Sequence, residues 1–533
     1  MTKMKGLLLG ASAGLLTVAS AQAADLPIKA KPVEYVKVCS LYGAGFFYVP
    51  GTDTCLKIGG YLRSDHVYGM ANPGGYYMSS PAAQETRTSG DMYSYRARVN
   101  LTLDWRTQSD YGTIRAYAAI IAQQTMGDFA VANFTAQTNG SAGILRAFLQ
   151  FAGFTVGHAV SYYDFMNGAD YGYLPSVWST GTGVNGTDLI AYTWQIGNGF
   201  SASIDIEDSG NGQNSPLAAV PGVTNAGTPG TGRGKILINT SIGPTFAGNS
   251  ITNDALRSMQ PDMAANLRVD QAWGSAQIMA AMHQASAGYY TNFPGLTGGA
   301  GSVPGGVAIF GHPGEAWGYA VGAGAKFVNF ILPKDMIEFQ VNYCKGAMAY
   351  CLIDGLYTNN FMFGRGNTFA MGYSVDGVFN NGSQIELTNA FSYAIGYQHY
   401  WNAQWRTSLV GGQTYTWYDN TAQGMLCGTA PGSASALAQQ SAFVALSGLS
   451  AGVPVNFNCN PNSSQSALST RTAWNPHPFL EIGLDLIWFH QHSANQGSVV
   501  ALTAAGARPA GVYKIADQDG YAMVLRFQKN ILP

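Results

Sequence analysis

Two histidines with a single residue between them, His490 and His492, have a spacing that could hold a transition metal. On an extended strand, residues two apart share a face, and imidazole suits zinc, copper and nickel. No third ligand stands beside them in the sequence. The pair therefore reads as the polar end of a strand, and neither a metal nor another cofactor is expected. Six cysteines are present: Cys39, Cys55, Cys344, Cys351, Cys427 and Cys459. None lies in a CxxC, which removes the usual zinc framework. They fall into local pairs along the chain (39/55, 344/351 and 427/459). Disulfides fit an even number in an exported chain, with free buried thiols as the alternative. There is no HExxH, GxSxG or Walker loop, so the chain is not read as an enzyme. What remains is charge, and its arrangement depends on the elements that carry it.

Export is written at the N-terminus. Lys3 and Lys5, an apolar run from Leu7 to Val18 and Ala21-Gln22-Ala23 form, in order, a charged region, a short core and a cleavage site. Residues 1–23 are expected to be a signal peptide. Its removal takes away two lysines, leaving 25 basic and 29 acidic residues from the original 27 and 29, a net charge of −4. An acidic balance argues against a nucleic-acid partner.

Only 11% of residues are charged, while 12% are aromatic. A soluble domain carries about 25% charged residues. Yet beyond the signal no run of 18 or more apolar residues could cross a bilayer as a helix. Lipid tolerates one other solution, a closed β-barrel in which every backbone group is paired.

Period 2 supports that solution. From Tyr95 to Arg106 one parity holds Tyr95, Ala97, Val99, Leu101, Leu103 and Trp105. The other holds Arg96, Arg98, Asn100, Thr102, Asp104 and Arg106. Twelve residues alternate without an error, which no helix produces. The pattern recurs around Phe200–Glu207, Asn266–Asp270, Leu480–Trp488 and Tyr521–Gln528. Charges of both signs fill the polar parity. A dry core could not hold them cheaply, whereas a water-filled lumen can.

Short turns and long loops alternate. Turn chemistry marks 108–112, 152–153, 197–199, 272–274, Leu332-Pro333, 402–403 and 475–478. Between these lie Gly/Ser/Asn/Pro-rich stretches near 70–91, 124–143, 161–187, 208–262, 287–314, 345–387, 418–469 and 491–519. Eight long loops and seven short turns predict an all-β fold. It is a transmembrane antiparallel barrel of about 16 strands over residues 56–533, preceded by a periplasmic segment over 24–55. At that strand number the interior is an aqueous channel.

The run from Val38 to Tyr61 (VCSLYGAGFFYVPGTDTCLKIGGY) resembles the opening of porins of the rhizobial and brucella type. So do the strand from Ala97 to Asp104, the stretch from Thr107 to Tyr117, the segment AFLQFAGFTVGHAVSYYDF from Ala147 to Phe165, and the last strand ending Leu525-Arg526-Phe527-Gln528. The resemblance spans essentially the whole mature chain and is most specific over the first 165 residues. It implies a 16-stranded outer-membrane barrel in contact with lipid, a homotrimer, and passive passage of small hydrophilic solutes and ions. It also implies a bonded Cys39 and Cys55 ahead of the first strand. Two departures stand out. His158 occupies the position after Gly157 where the family carries arginine, and the chain ends Ile531-Leu532-Pro533 without a terminal aromatic.

The family also folds its third long loop inward. Here that loop would run from about Tyr162 to Thr187 with Asp164 and Asp170 on it. Lumen parity carries Arg63, Arg96, Arg98, Arg115 and Arg146. The expected constriction comprises these five arginines, His158 and the two loop acids, with a transverse field between acids and arginines. The competing reading for each arginine is a pair within the wall, with Asp65 or Asp104. Rival functions are a solute-specific channel, which would need an aromatic or basic binding track, and a barrel serving as adhesin or phage receptor through its long loops.

Overall fold

The computed structural model describes residues 38–69, 93–126, 141–173, 186–208, 237–240, 260–287, 289–290, 311–351, 359–363, 367–430, 456, 458–502 and 511–531. The expected signal peptide lies outside the described residues. The chain divides into two units, Met1–Leu56 and Lys57–Pro533.

In the first unit a short strand, Phe46–Tyr48, follows a 3-10 turn over Ser40–Tyr42. The Cys39–Cys55 disulfide closes it around the buried Phe46, with Tyr42 and Tyr48 packed alongside.

The second unit is an antiparallel barrel of sixteen strands. In chain order they are β1 Cys55–Gly69, β2 Tyr93–Ser109, β3 Gly112–Met126, β4 Ser141–Phe151, β5 Phe154–Ala159, β6 Thr187–Gly197, β7 Phe200–Glu207 and β8 Asp262–Gln271. Then come β9 Gly274–Ala285, β10 Ala316–Val328, β11 Met336–Lys345, β12 Asn389–Tyr400, β13 Trp405–Trp417, β14 Ser463–His477, β15 Leu480–His492 and β16 Gln518–Asn530. Each strand pairs with its neighbours in sequence. The barrel closes where β1 meets β16, in a register running from Tyr61↔Asn530 to Gly69↔Ala522. Closure leaves no sheet edge unpaired, the condition lipid imposes.

The alternation read from the sequence is the alternation of the wall. Leu62, Ile120, Leu149, Ile190, Ile204, Leu267, Ile278, Leu409, Leu468 and Leu486 point outward and are exposed. Arg96, Arg98, Asn100, Asp205, Gln277, Gln340, Ser469 and Asp485 point inward. Aromatic residues cluster at both ends of the apolar band. Trp273, Phe330, Trp401, Trp405 and Trp474 ring the short-turn end, and Trp317, Tyr319, Tyr393, Tyr415 and Tyr521 ring the long-loop end. Amphipathic rings sit where hydrocarbon gives way to headgroups.

Two features depart from the sequence reading. β14 begins at Ser463, inside a stretch read as loop. Its outward parity there holds Ser464 and Ser466, so no apolar alternation marks it, and pairing with β13 fixes the strand instead. The long loops also carry structure of their own. Strands Thr368–Tyr373 and Gly511–Ile515 pair in parallel. Helix α1, Asn420–Leu426, is capped by Asp419, whose side chain accepts from the Ala422 N–H. Met371, Val378, Tyr418, Met425 and Ile515 pack into one core. Its base is stapled by the Cys427–Cys459 disulfide, and Cys344–Cys351 ties the end of β11 to the next loop.

Candidate pore constriction

β5 is the shortest barrel strand because the chain leaves the wall after Ala159 and turns into the lumen. Ser161 makes the turn. Its hydroxyl accepts from the Tyr163 N–H (3.1 Å) and its carbonyl from the Asp164 N–H (3.1 Å). Further on, the Asn167 side chain caps a 3-10 turn over Gly168–Asp170 by accepting from Ala169 N–H. These local bonds fix a compact loop that no strand pairing supports.

The loop then runs along the inner wall. Asp205 of β7 accepts from Tyr162 N–H (3.0 Å), and Asn266 of β8 donates to the Tyr162 carbonyl (2.6 Å). Gln340 of β11 accepts from the N–H groups of Phe165 (3.1 Å) and Met166 (2.8 Å). The Tyr163 hydroxyl donates to Asn342 (3.3 Å) and that of Tyr171 to Glu338 (2.9 Å), both on β11. The Tyr173 hydroxyl donates to Glu481 (2.8 Å) and its N–H to Asp485 (2.6 Å), both on β15. Ser408 and Arg471 donate to the carbonyls of Tyr171 and Asp170, each at 2.6 Å. Arg526 of β16 donates to the Tyr173 carbonyl (3.1 Å) and lies 4.1 Å over its ring. Backbone groups that would be orphaned away from a sheet are thus met by wall side chains.

The three tyrosines are almost fully buried. Burial pushes each phenol well above its ordinary pKa. Asp164 adds to the effect on Tyr163, Glu338 on Tyr171 and Glu481 on Tyr173. All three stay protonated and donate to the wall acids. They fit because the wall has no side chains beneath them. A Cβ placed on Gly396 of β12 would fall 2.7 Å from the Tyr171 ring, and one on Gly322 of β10 would fall 2.9 Å from the Tyr163 hydroxyl. Real Cβ atoms do not approach so closely. Gly324 and Gly483 make the same room for Phe165 and Tyr173.

The arginines singled out in the sequence occupy β1 to β4. Arg96 is paired with Asp65 (2.6 Å), which also takes Arg526 (2.5 Å). Arg115 pairs with Asp104 (3.0 Å), shared with Arg106 (2.9 Å), and its guanidinium lies over Tyr117 and Phe148. Arg63 and Arg98 rest on neutral groups. Arg63 donates to Gln528 (2.8 Å), and Arg98 donates to Gln123 (2.6 Å) and also hydrogen-bonds the Tyr61 hydroxyl. Arg146 donates to the Leu145 carbonyl beside a bulge in β4.

Asp164 shares a cavity of about 280 Å³ with Arg268, Tyr162, Asn266 and Gln277. Asp170 lies within electrostatic reach of Lys326 and Arg471. Surrounding protein raises its carboxyl above the ordinary value, and these two cations oppose that rise. The basic residues next to the loop acids are therefore Arg268, Lys326 and Arg471, none of which is among the arginines expected from the sequence. Arg268 lies on the polar parity of its strand, opposite Leu267 and Val269, and the same alternation marks Lys326 and Arg471. What the sequence lacked was the path of the loop. His158 stands apart from the others. It pairs in register with Ala147, on the outward parity shared by Leu149 and Val156, and its ring meets Asp188 at 2.8 Å.

Known proteins give the same architecture. The family model described as the Porin subfamily matches residues 25–524. The porin Omp2a of Brucella ovis is 34% identical over 225 residues, covering 39% of this chain and 60% of that protein. Omp2b of Brucella suis biovar 1 is 32% identical over 219 residues, covering 39% and 55%. The chain thus aligns with less than two thirds of the length of these curated relatives. The outer membrane channel DcaP of Acinetobacter baumannii superposes with a TM-score of 0.52 over 91% of this chain and 99% of that one. At 14% identity this is a likeness of fold. A family match over nearly the whole chain, on a closed sixteen-stranded wall with an apolar outside, leads to one assignment: the chain belongs to the Porin subfamily and is an outer-membrane β-barrel.

Proposed function

We propose that this protein is a general diffusion porin, a water-filled channel through which small hydrophilic solutes and ions cross the outer membrane passively. The observation that carries this reading is the third long loop seated on the inner wall of a barrel whose lumen holds charges of both signs. Selectivity in such a pore comes from width and lining charge, with no bond chemistry. The loop, with Asp164 and Asp170, sets the width. Arg63, Arg98 and Arg146 line the wall of β1 to β4, where Arg96 is paired with Asp65 and Arg115 with Asp104. His158 is left out of this lining because of its outward parity. Residues 1–23 direct export, residues 24–55 form the periplasmic N-terminal segment, and three copies associate through their outer walls. Both relatives above carry the word porin in their names, which supports the reading.

Liposome swelling with the folded protein and uncharged sugars of graded size tests this. Rates should fall smoothly with solute size and show no saturation. Permeation of a single solute class, saturating with concentration, would replace the general pore by a specific channel.

A further inference from the structure

Outside the constriction, one cluster has the chemistry of a ligand site. β15 places Trp488, His490 and His492 on its outward face at the long-loop end. The register pairs Trp488 with Tyr521 and His490 with Asp519 of β16, and one further step sets Asp517 opposite His492. We propose that His490, His492 and Asp517 bind a divalent transition ion of the zinc type, with Asp519 and Trp488 orienting His490.

The donor atoms of these three residues lie within 4.8 Å of one another. Asp517 is held in place, because its Oδ1 accepts from the Ser493 N–H (2.9 Å). Its Oδ2 lies 2.8 Å from His492 Nδ1 and 3.9 Å from His490 Nε2. Asp519 Oδ1 accepts from the Trp488 indole (2.8 Å) and lies 3.0 Å from His490 Nδ1. His490 therefore has one nitrogen engaged by a carboxylate and turns the other toward Asp517. A carboxylate behind a ligating histidine fixes its tautomer and orientation and raises its basicity. Two imidazoles and one carboxylate form a three-ligand set that leaves a fourth tetrahedral position open. Nitrogen donors select zinc, copper or nickel over magnesium and calcium, which take oxygen. His492 is half exposed, so an ion reaches the site without opening the barrel. The ligands flank the last long loop on both sides, so a bound ion would staple its two ends together. The spacing of His490 and His492 is visible in the sequence, and strand register brings in the missing third ligand.

The test uses the folded full-length barrel in detergent, stripped with a chelator. It is equilibrated with Zn²⁺ in excess Mg²⁺, and bound metal is counted after gel filtration. One zinc per chain is expected, lost in the His490→Ala/His492→Ala double variant and in Asp517→Asn. Asp519→Asn should retain the site with affinity weakened about 10- to 100-fold. Cu²⁺ as a probe should give the electron-spin signature of two nitrogen ligands in the wild type and lose it in the double variant. Unheated gel mobility shows that each variant is folded, which these rim positions allow. Zinc content that is zero in the folded wild type, unchanged in the folded double variant, or displaced by millimolar Mg²⁺ would overturn the proposal.

Discussion

The two sides of the lumen solve the problem of buried charge differently. On β1 to β3, arginines are held by acids and amides of the wall itself, with Asp65 bridging Arg96 and Arg526 and Asp104 bridging Arg106 and Arg115. On β7 to β15, acids and amides are held in large part by a loop. Asp205 and Asp485 accept backbone N–H groups from residues 162 and 173, while Glu338 and Glu481 take tyrosine hydroxyls. One wall balances its charge with countercharge, and on the other the dipoles of the seated loop add to the cations Lys326 and Arg406 beside Glu338 and Glu481. The second arrangement couples the wall to the loop, because a loop that leaves takes one hydrogen bond from each of these acids.

The largest expected effect of breaking this contrast is on the first wall. Asp65→Ala leaves Arg96 and Arg526 buried without their shared acid. It should cost about 3–5 kcal/mol, as expected for half of a buried ion pair. The temperature at which the folded gel band disappears measures it, and an unchanged temperature would refute the assigned role of Asp65. On the second wall, Gly396→Leu fills the hollow under Tyr171. Overpacking of that kind costs about 1–3 kcal/mol, which undocking the loop would relieve. Single-channel conductance of the folded variant should rise severalfold, and an unchanged conductance would mean the loop does not set the width. Arg63→Gln with Arg98→Gln removes two charges that have neutral partners. The reversal potential in a salt gradient should move toward cation preference with little change in stability. Tyr171→Phe is the mildest change. Losing one hydroxyl to Glu338 should cost about 1–2 kcal/mol and widen the distribution of conductance levels.

Much of the barrel was legible because its constraint is local. The twelve residues from Tyr95 to Arg106 alternate without error, and they lie in β2 with the parity read from them. Turns such as Ala152-Gly153 and Asn198-Gly199 fall where small or amide residues take positive φ. Ser463–Ser466 reads as loop because its outward positions, Ser464 and Ser466, are polar, and a rim strand needs no apolar outward face. The site was less legible. The inward fold of the third loop followed from the family resemblance, and nothing in 160–173 read alone shows that Tyr171 rests over Gly396. That contact joins residues more than two hundred apart, and its signal is an absence of side chain. Arg471, Lys326 and Glu338 share lumen parity with Arg63 and Arg98, and only the path of the loop separates their roles. Asp517 completes a cluster with His490 and His492 through register, which a linear spacing rule does not see.

The central claim is that the seated third loop narrows an open aqueous pore. Planar-bilayer recording of the folded wild type beside Gly396→Leu tests it most directly. The account predicts ohmic current steps in the wild type, occurring in groups of three, and larger steps in the variant. A folded wild type that passes no current, or a variant whose steps match the wild type, would contradict it.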